Sequence, residues 1–330
     1  MYQPETYFIS LSFMIVSMLC WGSWANTLKL CPGYRFQLFY WDYVIGLIIG
    51  TVVLGSTLGS FGSAGRPFYT DIAHASLQPI VLAVIGGVIF NIANLLLVAA
   101  INIAGLAVAF PVGIGLALVV GAIGSYLISP KGDPLLLFGG IALVVGAIAL
   151  DAIAYRLREA NRPAMSRRGI VISLIAGILM GCFYPFVSKA MTGENAPGPY
   201  AAVLFFVLGV IVCSIPMNYL LMRMPLDAQG PTSMSGYLHA PRNWHLWGVL
   251  GGVVWCTGAV VNFVASQAHI VGPAVSYSIG QGATMISACW GVFVWREFTE
   301  APFRSKAYLA LMFVFFLCGL TAIAVAPLFS

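Results

Sequence analysis

The polar side chains that could do chemistry stand inside long apolar runs and are mostly amides and hydroxyls. Asn91 and Asn94 lie three residues apart in "GGVIFNIANLLL", so both fall on one side of a helix. Tyr277, Gln281 and Thr284 are spaced by four and seven residues and also share a face. Such groups both donate and accept hydrogen bonds, which suits a neutral solute better than an ion. We predict that these five side chains bind such a solute; the alternative is that they only join helices to one another.

A second cluster of unusual residues ends the first apolar run, in "CWGSWANTLK". Trp21 and Trp24 share one helical face, whereas Asn26 and Lys29 share another about 100° away. The aromatic face predicts a surface on which a planar solute stacks, and the polar face ends in a cation at the mouth of the site. The competing interpretation is an interfacial aromatic belt with a snorkelling lysine.

One carboxylate, Asp42 in "FYWDYVIG", is flanked by aromatic residues near the end of an apolar run. A carboxylate that is buried in a membrane protein can bind and release a proton near neutrality, which proton coupling requires. We therefore predict Asp42 as a proton-coupling residue. The alternative is a salt bridge with Lys29 or Arg35.

Two further acidic residues lie near the ends of apolar runs. Glu297, in "WREF", is predicted to form part of a gate by pairing with Arg296 or Lys29. Asp151 precedes an arginine-rich connector and is interpreted as a charge at the rim of the membrane.

Neither catalysis nor metal binding is indicated by the remaining motifs. The four histidines show no metal-ligand spacing, and no nucleophile elbow, zinc-protease motif, phosphate loop or paired-carboxylate pattern occurs. The seven cysteines show no CxxC pairing. We expect no enzyme activity, no catalytic residues, no cofactor and no metal.

Composition identifies the class of protein that carries these residues. Of 330 residues 60% are hydrophobic and only 8% are charged, against about 25% charged in a soluble domain. This number of charges is too small to cover a protein surface that faces water. The outer surface of the protein must therefore face membrane lipid. The net charge of +5 is interpreted as a topology signal, and nucleic acid is not expected as a partner.

Ten apolar runs reach the length of about 20 residues that a helix needs to cross a membrane. The fold is therefore predicted as an all-α integral membrane protein with ten transmembrane helices. The predicted spans are approximately 7–28, 40–60, 77–101, 104–128, 135–155, 169–190, 199–222, 245–267, 271–295 and 306–328.

The distribution of lysine and arginine predicts how these spans are oriented. Twelve of these residues fall in the connections on one side of the membrane and three on the other. The basic side is cytoplasmic by the positive-inside rule. We expect a multi-pass protein of the plasma or inner membrane with both termini outside the cytoplasm.

The two halves of the chain resemble each other. "MLCWGSWANTLK" aligns with "ILMGCFYPFVSK", which places Tyr184 on Trp24, and "GGVIFN" aligns with "GGVVWC". Five spans per half make the second copy inverted, an arrangement typical of secondary transporters with a site between the halves. We predict repeats over 1–155 and 169–330, joined by a basic connector at 156–168. Tyr184 and Asn262, on the sixth and eighth spans, complete the candidate site.

Three stretches resemble a known family. "CWGSWANTLKL", "RFQLFYWDYVIG" and "WGVFVWREF" are similar to the ureide permease family of the drug/metabolite transporter superfamily, and this chain resembles a compact, bacterial-type member. The resemblance implies secondary active uptake by alternating access, coupled to protons, of allantoin-like ureides and of nucleobases such as uracil or xanthine.

Three other functions are compatible with these residues. The superfamily also contains sugar carriers and exporters of drugs or metabolites, and a membrane scaffold or sensor that transports nothing is a further candidate. The expected partners are a small-molecule substrate, a proton and membrane lipid, with the protein as a monomer or a homodimer.

Overall fold

The computed structural model describes residues 1–104, 106–158, 166–226 and 230–329, without the side chains of 106–108 and 110. Residues 159–165 of the predicted connector at 156–168 therefore lie outside the described residues. All regular elements in the described ranges are helical.

Within these ranges the first half of the chain forms seven helices. They are α1 (Tyr7–Ser23), α2 (Asn26–Lys29), α3 (Phe36–Ser56), α4 (Phe68–His74), α5 (Leu77–Ala104), α6 (Leu106–Ile128) and α7 (Pro134–Arg158).

The second half begins with α8. Its elements are α8 (Arg167–Ala190), α9 (Pro199–Arg223), α10 (Met234–Leu238), α11 (Arg242–Ser266), α12 (Pro273–Gly280), α13 (Ala283–Cys289), a π-helix (Trp290–Val294), α14 (Phe303–Val325) and a 3-10 turn (Ala326–Phe329).

Nine helices in the described ranges, counting α1 with α2 as one, are long and apolar enough to cross a membrane. Their apolar side chains can face lipid all round because the helix satisfies its own backbone hydrogen bonds. The chain is therefore an all-α, multi-pass membrane protein. Each of the nine matches one of the ten predicted spans within a few residues.

The predicted span 271–295 has a different structure. It forms three short segments, α12, α13 and the π-helix, with a break at Gln281 and Gly282. At the break Gly280 packs so closely on α1 that a Cβ atom there would lie 2.7 Å from the Trp21 ring. Interrupted helices of this kind are tolerated where they line a cavity.

Close helix contacts hold the bundle together at glycine positions. A Cβ atom on Gly252 of α11 would lie 2.0 Å from the Tyr43 carbonyl oxygen of α3, so only glycine permits this approach. A Cβ atom on Gly87 of α5 would lie 1.9 Å from the Phe206 carbonyl oxygen of α9. Small residues at such crossings let helix backbones pack closely inside a membrane.

Candidate functional site

A cavity of about 330 Å³ lies inside the bundle, a size that holds a small organic solute. It is lined from α1, α2, α3, α5, α6, α7, α8 and α11, from the segments around Gln281, and by Glu297. It extends from the middle of the helices toward the end at which Lys29 and Glu297 lie. We call this end of the bundle the basic end.

Aromatic rings form much of the cavity wall. Trp21, Trp24, Phe90, Phe183 and Trp255 all line it. Trp21 stacks on Trp255 with ring centroids 5.9 Å apart, and Phe90 lies 4.5 Å from Trp255. These contacts fix the rings in place, so the wall offers rigid flat surface to a solute.

Two amide side chains carry most of the polar character of the wall. Gln281 is 8% exposed, lines the cavity, and its side chain forms no hydrogen bond within the described part of the chain. Asn94 also lines the cavity and uses only its Nδ2, which donates to the Tyr40 hydroxyl at 3.4 Å. Donors and acceptors of both amides are therefore available to a solute. Thr284 lines the same wall.

The polar face of the first helical segment also reaches the cavity. Asn26 lines it, and the Asn26 Oδ1 accepts a hydrogen bond of 2.6 Å from the Trp295 indole. The Ser23 hydroxyl accepts from the Trp290 indole at 2.9 Å. The end of α1 is thus fastened to the π-helix region.

Four of the residues predicted to bind solute, Asn91, Tyr184, Asn262 and Tyr277, lie in the protein interior outside the cavity lining. The Tyr184 hydroxyl donates to Asn262 Oδ1 at 2.5 Å, and the Tyr277 hydroxyl donates to the Ala117 carbonyl at 3.1 Å. These bonds join helices, so in this arrangement their polar atoms are occupied by the protein itself.

The side chain of Asn91 also joins helices through hydrogen bonds. Its Oδ1 accepts from the Tyr40 hydroxyl at 2.8 Å and from the Ser214 hydroxyl at 2.9 Å. Asn91 thereby links α5 to both α3 and α9.

An ionic network lies at the basic end of the cavity. The Lys29 ammonium donates to Glu297 Oε1 at 2.6 Å, and Arg158 donates to Glu297 Oε2 at 2.9 Å. The Tyr155 hydroxyl donates to Glu297 Oε2 at 3.3 Å, and Tyr155 itself lines the cavity. The predicted partners Lys29 and Glu297 are therefore together, and Arg158 and Tyr155 join them.

The environment of Glu297 keeps it ionised. Burial alone would raise the pKa of the Glu297 carboxyl, but hydrogen bonds from Lys29 and Arg158 outweigh burial and lower that pKa below its ordinary value of 4.5. The Glu297 carboxylate therefore stays charged through the neutral pH range.

Asp42 lies at the basic end of the bundle but outside the cavity lining. Three side chains surround its carboxylate, and we call the four residues the Asp42 cluster: Asp42, Tyr34, Tyr237 and His245. The Tyr34 hydroxyl donates to Asp42 Oδ2 at 2.9 Å and the Tyr237 hydroxyl to Oδ1 at 2.7 Å. The His245 Nδ1 lies 2.9 Å from both carboxylate oxygens.

Asp42 forms no salt bridge with Lys29 or Arg35 in the described ranges. Asp42 contacts His245, whereas Lys29 binds Glu297 and Arg35 donates to the Gly230 carbonyl. Burial and the neighbouring carboxylate raise the pKa of Tyr34, so that its hydroxyl remains a donor at neutral pH. The cluster pins the short helix α10 onto α3 through Tyr237.

Asp151 is buried, contrary to its interpretation as a charge at the membrane rim. It is 7% exposed and lies on α7, and its Oδ1 has no hydrogen-bond partner in the described ranges. Burial follows from the length of α7, which continues for two turns beyond Asp151 to Arg158.

Comparisons with known proteins decide the family. A family model described as "Sugar transport protein" matches residues 43–326, most of the chain. The chain belongs to this family. It is a membrane transporter by this membership and by its apolar helices.

Relatives with curated names cover nearly all of the transporter. Ureide permease 4 of Arabidopsis thaliana is 22% identical with 97% of both chains covered, and Ureide permease 1 of the same plant is 20% identical with 98% covered. These similarities confirm the resemblance to ureide permeases. The Glucose uptake protein GlcU of Bacillus subtilis (strain 168) is 22% identical over 74% of this chain and 78% of its own.

A solved crystal structure shares the fold. It superposes with a TM-score of 0.63 at 12% sequence identity, covering 97% of this chain and 98% of the other. At this identity the likeness concerns the fold alone.

Sequence reasoning missed several residues that the transporter places beside the predicted ones, among them His245, Arg158 and Tyr155. A local signal existed for Tyr155 and Arg158, which follow Asp151 by four and seven residues and so share its helical face. His245 had none, because 203 residues separate it from Asp42.

Proposed function

We propose that the transporter carries a neutral, planar, hydrogen-bonding solute, such as an allantoin-like ureide or a uracil- or xanthine-type nucleobase, by proton-driven alternating access. One observation carries the proposal: the cavity has fixed aromatic walls and two amides, Gln281 and Asn94, whose hydrogen-bonding groups remain available. Flat heterocycles with amide-like edges match both features.

Charge balance at the cavity supports a neutral solute. Lys29 and Glu297 are the charged residues in its described lining; they form a pair at 2.6 Å, and Glu297 also pairs with Arg158 outside the lining. An anion or a cation would therefore have to break this pair or remain without a counter-charge, which is costly away from water. A neutral solute meets neither cost.

Alternating access would use an inverted repeat whose halves are 1–155 and 169–330, joined by the connector 156–168. In this arrangement α12, α13 and the π-helix together form a tenth membrane crossing. The packing pattern supports this symmetry. α5 packs on α8 and α9, and in the other half α11 packs on α1 and α3. α6 packs on α8, and correspondingly α12 and α13 pack on α1.

Asp42 remains the predicted coupling residue, with His245 as its partner. Histidine is the side chain whose charge changes most readily near neutral pH, and here it lies 2.9 Å from a buried carboxylate. We assign the basic end to the cytoplasm, and both termini to the opposite side of the cell membrane, by the positive-inside rule.

Sugars are a second candidate substrate class. The family description and the name of GlcU favour them. Aromatic walls also suit sugar rings, and Thr284 and Ser287 add hydroxyl side chains to the lining. The described lining contains no carboxylate free to bind sugar hydroxyls, because Glu297 is engaged by Lys29 and Arg158.

The test is uptake into proteoliposomes of allantoin, uracil, xanthine, glucose and rhamnose, with and without an imposed pH gradient. Protein-free liposomes are the control. We expect accumulation of a heterocycle above its external concentration only when the gradient is present. Uptake of a sugar alone would replace the substrate class, and uptake that ignores the gradient would refute proton coupling. Folded protein that transports none of the solutes would favour a scaffold or sensor.

A further inference from the structure

Asp151 is a buried carboxyl group that the proposed function does not use. It lies in the membrane-spanning helix α7, is 7% exposed, and its Oδ1 has no partner in the described ranges. An ionised carboxylate without a partner is very costly in such surroundings, whereas a neutral carboxylic acid is much less so. In this arrangement Asp151 is therefore held as the neutral acid.

The position of Asp151 connects it to the ionic network at the basic end. Tyr155 and Arg158 follow at offsets of four and seven and fall on the same face of α7. Both donate to Glu297 Oε2, at 3.3 and 2.9 Å. Through these two side chains Glu297 is held against the face of α7 that carries Asp151. A charge that appears on Asp151 must therefore change how Arg158 and Glu297 interact.

Other charged or titratable groups around α7 are accounted for. Glu297 keeps its charge through the neutral range because Lys29 and Arg158 bind it. The titratable side chain on α6 is Tyr126, which lies close to the opposite end of the bundle. The four titratable side chains on α14 are all exposed. Those four are Arg304, Lys306, Tyr308 and Cys318.

We propose that Asp151 is a proton-binding site that controls the gate formed by Lys29, Glu297, Arg158 and Tyr155. When the Asp151 O–H bond breaks, the proton passes to water and the carboxylate remains. Its negative charge attracts Arg158 and repels Glu297, which weakens the Arg158–Glu297 pair and opens the basic end of the cavity. Rebinding of the proton restores the pair. The inference rests on the proposed transport function for its consequence, but the protonation itself can be tested without any substrate.

The primary test is infrared spectroscopy of the purified full-length protein in lipid. A protonated carboxylic acid has a carbonyl stretch separate from that of a carboxylate. We expect this band at neutral pH in the wild-type protein and in Asp42→Asn, a decrease of the band as pH rises, and a loss of intensity in Asp151→Asn. A band that is the same in wild type and Asp151→Asn would overturn the proposal.

The second test measures exchange of labelled substrate across proteoliposomes without a pH gradient, with a solute that the uptake assay has identified. At pH values at which Asp151 is mostly protonated, its ionised fraction rises about tenfold per pH unit. The rate of exchange should therefore rise by up to about tenfold per pH unit. Asp151→Asn should exchange slowly at every pH, and Asp151→Glu should restore the pH dependence. An unchanged pH profile in folded Asp151→Asn would overturn gate control. A failed uptake assay with a positive infrared result would refute the proposed function and leave the proton site intact.

Discussion

The sharpest test of the binding site replaces Gln281 by methionine, which keeps the length of the side chain and removes its amide. The amide forms no hydrogen bond within the described part of the chain, so the substitution leaves no buried group without a partner. We therefore expect the unfolding temperature to change little. The bound solute, in contrast, loses the donor and the acceptor that the amide offers.

The size of the effect follows from these two hydrogen bonds. Each contributes about 0.5–1.5 kcal/mol net, so together they are worth about 1–3 kcal/mol. A loss of about 1.4 kcal/mol weakens binding tenfold, so the apparent affinity of Gln281→Met should fall by roughly 5- to 150-fold. The assay is concentration-dependent uptake or exchange in proteoliposomes, with the unfolding temperature measured on the same preparation.

Tyr277→Phe is the matched control, one helical turn away on the same segment. Its hydroxyl donates to the Ala117 carbonyl at 3.1 Å and lies outside the cavity lining. Removing it should lower stability by about 0.5–1.5 kcal/mol and leave the affinity unchanged. If Gln281→Met keeps its affinity for the solute, the assignment of the cavity as the binding site is wrong, whatever the result for Tyr277→Phe.

Three further predictions concern packing, coupling and the gate. Gly252→Ala should lower stability in detergent by about 1–3 kcal/mol relative to Gly139→Ala. A Cβ atom on Gly252 would meet a carbonyl oxygen, whereas one on Gly139 would have no neighbour within 4 Å. Equal unfolding temperatures of the two variants would contradict the close contact at Gly252. Asp42→Asn should abolish accumulation driven by a pH gradient while substrate exchange continues, and intact accumulation would remove Asp42 from coupling. Because the pKa of Glu297 is lowered, the stability that its ion pairs contribute is fully present above about pH 4.5 and is lost only as pH falls through the lower folded value. Glu297→Gln should therefore lower the unfolding temperature by the same amount at pH 5.0 and pH 6.0, where Asp151 is still protonated, and a difference that vanishes at pH 5.0 would refute the lowered pKa.

Much of the fold was predictable because lipid imposes a simple rule on the sequence. A run of about 20 apolar residues has few alternatives to a membrane-crossing helix, and nine predicted spans appear as long helices in the described ranges. The segment 271–295 met the same rule but is broken at Gln281 and Gly282. Hydropathy does not register such a break, since it depends on how closely α1 approaches Gly280.

The candidate site was predictable where helical periodicity alone sets the direction of a side chain. Periodicity cannot decide between neighbours on a broad face. Asn91 and Asn94 differ by about 60° around α5, and this difference is enough for Asn94 to reach the cavity while Asn91 bonds to Tyr40 and Ser214. Pairs that are distant in sequence, such as Asp42 with His245, depend on how helices pack and leave no local pattern.

The aromatic wall of the cavity makes this transporter its own optical sensor. Three of its eight tryptophans, Trp21, Trp24 and Trp255, line the cavity, and a fourth, Trp295, bonds to Asn26 at the gate. A planar solute stacked on these indoles will change their fluorescence without any attached dye. Binding can therefore be titrated on the unmodified protein in detergent, so that candidate solutes can be screened by light emission before a single vesicle is prepared.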